Sequence, residues 1–175
     1  MTARARAAVL AVATIALLAV PAHGASAYPH FPVRGAVDYG DAEAAFGSAR
    51  GRMHEGQDIF APPGSPLLAV RAAVVLEAGS DGGRGNYVSL YSAAADQTYN
   101  YFHMEGPAEV GIGERVRGGQ PVGRLGCTGS CWGNHLHFEL RLGRDPYGAA
   151  IDPLPLLEGI RTAARWRWLP AGAAS

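Results

Sequence analysis

The chain has 175 residues, and its fifteen basic residues, all arginine, balance fifteen acids in a composition that is 48% hydrophobic and 17% charged. Neutrality leaves no basic face to displace phosphate counterions, so no nucleic-acid partner is expected, and so apolar a chain is neither disordered nor too short for one folded domain. Two cysteines allow at most one bridge, which excludes a disulfide scaffold.

The first predicted element is an export signal. Arg4 and Arg6 precede an apolar run over residues 7–20, Pro21 closes the run, and Ala25-Ser26-Ala27 offers small residues for cleavage. The run is shorter than the ~20 residues that a spanning helix needs. Residues 1–27 are therefore expected to be removed, and no later stretch is apolar for long enough to cross a bilayer. Without Arg4 and Arg6, thirteen arginines face fifteen acids, a formal charge of −2 on a secreted, extracytoplasmic domain. An oxidising compartment follows, in which Cys127 and Cys131 can pair.

Residues 28–41, rich in Pro, Gly and aromatics, read as an extended lead-in. Dense Gly and Pro punctuation then separates short segments rich in Val, Leu, Tyr and Phe: residues 67–78, 87–91, 98–104, 120–125 and 135–142. This predicts an all-β domain, a single antiparallel sheet built on short hairpins. Leu156, Leu157, Ile160 and Ala164 then recur at helical spacing, predicting a short C-terminal helix. In the tail, Arg165-Trp166-Arg167-Trp168 reads as a strap packed on the domain, the alternative being an amphipathic contact to wall polymer or membrane surface.

Four of the six histidines fall into three groups. His54 and Asp58 stand an even number of residues apart, so in an extended chain both can face one ion; Gly56 argues against a helix there. His135 and His137 share one face of a strand whose other face presents Leu136 and Phe138 to a core. Such a rigid element suits a zinc ligand beside an acid or base. In Tyr99-Asn100-Tyr101-Phe102-His103, alternation puts Tyr99, Tyr101 and His103 on one face.

Cys127, Cys131, His135 and His137 also make a Cys2His2 set, but finger-type sites separate their pairs by about a dozen residues and their histidines by three to five. Here the gaps are three residues and one. A disulfide stiffening the Thr128-Gly129-Ser130 turn is the better reading, with two free thiols as its alternative.

Taken in order, these motifs resemble a known family. Gly51-Arg52-Met53-His54-Glu55-Gly56-Gln57-Asp58-Ile59, Ala61-Pro62-Pro63-Gly64-Ser65-Pro66, Gly85-Asn86-Tyr87-Val88, the segment 98–104, Gly119-Gln120-Pro121-Val122-Gly123, Gly126-Cys127-Thr128-Gly129 and His135-Leu136-His137-Phe138-Glu139 are similar, in order and spacing, to lysostaphin-type (LytM-domain) zinc endopeptidases of bacterial cell walls. The resemblance covers residues 31–157 and implies a peptidase domain over 28–157 with a tail at 158–175. It further implies an antiparallel sheet whose zinc lies in a groove walled by loops. One Zn²⁺ per chain would be held by His54, Asp58 and His137, with His135 and His103 lining the catalytic centre. Tyr101 is a candidate hydrogen-bond donor to the tetrahedral intermediate, its alternative being a packing role at the rim, and Asn86 is a candidate turn or groove residue. The family often has His where Ser92 stands and Pro where Asn134 stands, and its members do not generally carry the paired cysteines.

Two imidazoles and one carboxylate leave an open position, as a catalytic zinc requires. With no helix-borne Glu base, His135 or His103 would move the proton and the other would hold the oxyanion. The expected protein is thus a secreted, wall-associated zinc metalloendopeptidase, monomeric, cutting peptide bonds of peptidoglycan. The alternatives are a non-hydrolytic regulator or wall-binding module, which should lack a ligand, and a zinc peptidase acting on Gly-rich proteins.

Overall fold

The computed structural model describes residues 28–49 and 51–168 of the chain. The expected export signal lies outside the described residues, as do the side chains of the Arg165 to Trp168 segment and everything after it.

Short segments separated by Gly- and Pro-rich turns form strands β1 (Gln57–Phe60), β2 (Pro66–Leu68), β3 (Ala73–Asp81), β4 (Gly85–Ser92), β5 (Gln97–Met104), β6 (Arg115–Val116), β7 (Pro121–Arg124), β8 (His135–Leu142) and β9 (Ala150–Ile151), then helix α1 (Leu154–Trp168). Among the described residues, seven strands make one sheet in the order β1-β8-β5-β4-β3-β6, with β9 also on β8, while β2 and β7 form a separate ribbon. Every pairing is antiparallel.

The structure divides the segment expected at residues 67–78. Ala69 and Val70 leave β2 through a bend, so that β2 pairs with β7 and β3 with β4 and β6. Both halves are apolar because both reach the core, and apolar content alone does not mark the bend.

Alternation along β8 decides which face is which. Leu136, Phe138 and Leu140 are buried in a cluster with Tyr99 and Tyr101 of β5, Val88 and Leu90 of β4, and Leu67 and Val122 of the ribbon. Phe138 stacks on Tyr99 with centroids 6.2 Å apart and meets Tyr101 edge-on at 5.4 Å. Each such side chain stabilises the fold by about 1.5–3 kcal/mol through burial. A slip of one residue would place this set on the opposite face, so the core pins the register that the other face depends on. That other face carries His135, His137, Glu139 and Arg141.

Helix α1 runs unbroken past residue 157, where the domain was expected to end, and buries Ile160 with Leu157 in the same core. Helical spacing continues through Ile160 because the core contact does.

Candidate metal centre

Strand β1 supplies the first ligand-type side chain by register. Asp58 lies directly opposite His137, and Phe60 opposite His135. Across β8, Phe102 of β5 is also paired with His137, and its ring stacks on that imidazole with centroids 5.5 Å apart. His54 approaches from the bend before β1.

The three groups meet. His54 Nε2 is 3.1 Å from Asp58 Oδ1 and 3.0 Å from His137 Nδ1, and His137 Nδ1 is 2.9 Å from Asp58 Oδ1. Their outer contacts fix which nitrogens carry protons. His54 Nδ1–H donates to the Ala45 carbonyl at 2.8 Å, and His137 Nε2–H donates to Glu139 Oε1 at 3.2 Å. In the neutral tautomers that leaves lone pairs on His54 Nε2 and His137 Nδ1, both aimed at a carboxylate oxygen.

Three acceptors this close repel one another unless a cation lies among them. A proton bridges two of them; a divalent ion satisfies all three, and the donor set of two imidazoles and a carboxylate suits zinc. Burial opposes the Asp58 charge, but without a metal, protonated imidazoles of His137 and His54 donating to it, with the charge of His137 and His135, hold its carboxyl far below the usual carboxylate range. Burial likewise opposes charge on His137, yet Asp58 and Glu139 together raise its pKa. The pocket is thus built to hold positive charge.

Glu139 is anchored in turn. Its Oε2 accepts from Asn100 Nδ2 at 2.8 Å and from Arg141 Nε and Nη2 at 3.0 and 2.8 Å, while Arg141 Nη2 also reaches Glu55 at 2.9 Å. Arg141 is itself buried. Sequence reading gave neither Glu139 nor Arg141 a role. The signal was present, since the alternation that pairs His135 with His137 continues through Glu139 and Arg141 on the same face.

His103 reaches this face by another route. Regular alternation would leave it beneath the sheet with Tyr99 and Tyr101. Instead the β4–β5 register shifts between Asn86 and Val88, and His103 adopts a positive φ of 63°. This bulge turns His103 into the groove and returns Met104 to the core. A left-handed non-glycine residue is a strained one, and such strain clusters at functional sites. The His103 and His135 rings lie 4.9 Å apart. His103 Nδ1–H donates to the Thr128 carbonyl at 2.8 Å and His135 Nδ1–H to the Gly133 carbonyl at 2.7 Å, so each neutral ring has its lone pair on Nε2. His135 Nε2 is 3.6 Å from Asp58 Oδ1.

Two candidates do not belong to the site. Tyr101 is fully buried beneath the sheet, where its hydroxyl donates to the Leu68 carbonyl at 2.9 Å and accepts from the Val70 N–H at 3.1 Å. Its place opposite Phe138 fixes it on the core face, and it cannot touch a substrate in the groove. Asn86 spends its amide on the Met104 carbonyl at 3.3 Å, and its N–H donates to Thr128 Oγ1 at 2.8 Å. It ties β4 to the loop that holds His103 and is not part of the groove wall. Ser92, at the far end of β4, is buried away from the site.

A groove of about 400 Å³ opens over the four histidines, with Arg52, Met53, Arg84, Trp132 and Tyr147 on its walls. Cys127 and Cys131 are bonded to each other beside it.

Known proteins share this fold and much of this sequence. The profile of peptidase family M23 matches residues 52–153. The DD-carboxypeptidase/endopeptidase Mpg of Neisseria meningitidis is 36% identical over 107 residues, which are 61% of this chain and 24% of Mpg, so the chain spans about a quarter of that relative's length. The catalytic domain of the antimicrobial peptidase lysostaphin from Staphylococcus simulans superposes with a TM-score of 0.60 at 30% identity, over 70% of this chain and 92% of that one. A zinc-containing peptidase from Vibrio cholerae gives a TM-score of 0.53 at 25% identity, over 71% of this chain and 37% of that one.

Proposed function

The chain belongs to peptidase family M23, and on that premise we propose that it is an exported, monomeric zinc endopeptidase that hydrolyses peptide bonds of peptidoglycan. The observation that carries the reading is the triangle of His54 Nε2, Asp58 Oδ1 and His137 Nδ1, whose outer contacts turn two lone pairs and a carboxylate inwards. A wall substrate is supported by the name of a Vibrio cholerae relative, peptidoglycan DD-endopeptidase ShyC, 39% identical over 88 residues that are 50% of this chain and 20% of ShyC. Among the described residues no helix is long and apolar enough to cross a membrane.

His54, Asp58 and His137 would hold the ion, and zinc, when bound, makes water nucleophilic near neutral pH and polarises a carbonyl. The remaining work belongs to the chain. Glu139, braced by Arg141 and Asn100, keeps the His137 ring oriented. Burial pushes His103 down to about 4, which makes it a weak base and keeps it neutral. We therefore assign the general base to His135, whose Nε2 stands closer to the triad. It takes the proton of the attacking water and returns it to the leaving amine, while the Gly133 carbonyl and Asp58 stabilise the imidazolium in between. His103 Nε2, as an acceptor, orients the water from the other side.

Incubation of the zinc-loaded protein with purified peptidoglycan, followed by mass spectrometry of the released fragments, tests the assignment. Fragments with new amino termini on stem or bridge residues are expected. An intact, zinc-loaded protein that releases none would refute the enzyme and point to a regulatory role.

A further inference from the structure

The loop between β7 and β8 is rich in small residues, and the acceptors of both non-ligand histidines lie on it. A bridge between Gly126 and His135 closes its base, and Cys127 and Cys131 are bonded across it with Cα atoms 5.3 Å apart. Glycines give such a loop a wide choice of backbone conformations, so something must select one.

The two acceptors are held differently. Thr128, whose carbonyl takes the His103 Nδ1–H, is pinned by its own side chain: Oγ1 donates to the Met104 carbonyl at 2.7 Å and accepts from Asn86 N–H at 2.8 Å. Gly133, whose carbonyl takes the His135 Nδ1–H, has no side chain to pin. Its N–H donates to Cys127 Sγ at 3.2 Å, and Cys131 Sγ lies 3.7 Å from His135 Nδ1. The sulfur pair thus touches both His135 and the residue that orients it. The outer contacts of His54 and His137, on Ala45 and Glu139, lie elsewhere.

We propose that the Cys127–Cys131 disulfide is a positioning element for His135, making turnover conditional on an oxidised loop while the metal ligands are unaffected. This rests on the proposed role of His135 in hydrolysis. Cys127 is exposed and Cys131 half-buried, so a small reductant reaches the bond. With a water-soluble phosphine, the disulfide becomes two thiols as the phosphine takes oxygen from water and becomes its oxide.

The experiment compares three forms of the full chain: oxidised, phosphine-reduced, and the double variant Cys127→Ser/Cys131→Ser. Two readouts are taken. In the zinc-loaded forms, reduction and the double variant are each expected to lower kcat by about 10–100-fold, as misplacing a catalytic group does, with KM and zinc content unchanged. In the metal-free forms, nitrogen-15 NMR of the imidazoles is expected to show the His135 Nδ1–H broadened away by solvent exchange while that of His103 persists. The phosphine-reduced wild type keeps the test valid if the double variant fails to fold. A His135 Nδ1–H signal that survives reduction overturns the proposal, as does loss of zinc on reduction. Should no form cleave any wall peptide, the enzyme reading fails while the NMR comparison still decides the role of the disulfide.

Discussion

Asp58 on β1 stands opposite His137 on β8, and that register brings Asp58 Oδ1 to 2.9 Å from His137 Nδ1. The pairing is held from beneath by Leu136 and Phe138, both fully buried. Two functions therefore divide by face, with the core fixing the register and the opposite face using it.

Asp58→Asn keeps the shape and removes the charge. Zinc affinity is expected to fall about 100-fold or more, beyond the roughly 10–100-fold typical of a residue that only supports a ligand. The metal-free variant should remain folded, since no core contact is lost. Chelator competition with circular dichroism on the same samples checks both halves; unchanged zinc affinity would remove Asp58 from the ligand set.

Gly56 leaves room for a ligand. A Cβ at this position would come within 2.8 Å of His137 Nε2 and 2.7 Å of the Phe138 carbonyl. Gly56→Ala is expected to displace the His137 ring from Glu139, weakening zinc binding and costing about 1–3 kcal/mol of stability by overpacking. Wild-type zinc affinity in this variant would show that the turn before β1 yields without moving His137.

Tyr101→Phe separates core from catalysis. Loss of the hydroxyl that bridges Leu68 and Val70 should cost about 1–3 kcal/mol, because the buried Val70 N–H loses its acceptor. The turnover number of the folded variant should stay at the wild-type value. A fall in kcat without a fall in denaturation midpoint would return Tyr101 to the site.

The buried His103 imidazole predicts a pH dependence for the metal-free protein. Burial lowers its pKa from the ordinary 6.5 to about 4, even though the Thr128 carbonyl favours its charged form. Between those values the unfolded chain accepts a proton that the folded chain refuses. The His103 contribution is therefore fully present above about pH 6.5 and is lost as the pH falls towards 4. Denaturant midpoints at pH 7 and pH 5 should converge less for wild type than for His103→Gln, which lacks the titration; identical differences in the two proteins would contradict it.

Most of the strand pattern and the shared face of His135 and His137 were legible in the sequence for one reason, whereas a place for His103 in the site followed only from the family resemblance. A period of two is local, so the shared face of His135 and His137 can be read from three adjacent residues, and the same logic reached Glu139 and Arg141 without being followed that far. Where the backbone departs from that period, the reading fails. His103 was expected beside Tyr99 and Tyr101, but the bulge at its positive φ moves it to the other face. Tyr101 was accordingly a candidate for the groove and lies in the core. The bend at Ala69 and Val70 was hidden because both of its sides are apolar. The acceptors for His103 and His135 are backbone carbonyls of Thr128 and Gly133, and a carbonyl is common to every residue, so no side-chain pattern announces it.

We propose a single zinc, held by His54, Asp58 and His137, as what makes this chain a peptidoglycan hydrolase. The most direct test is a zinc titration of metal-free protein in the presence of purified peptidoglycan, following newly exposed amino groups. Release is expected to rise with added zinc and level off at one equivalent per chain, with His54→Ala giving none at that ratio. Full release from the metal-free protein, or from His54→Ala at one equivalent, would contradict it.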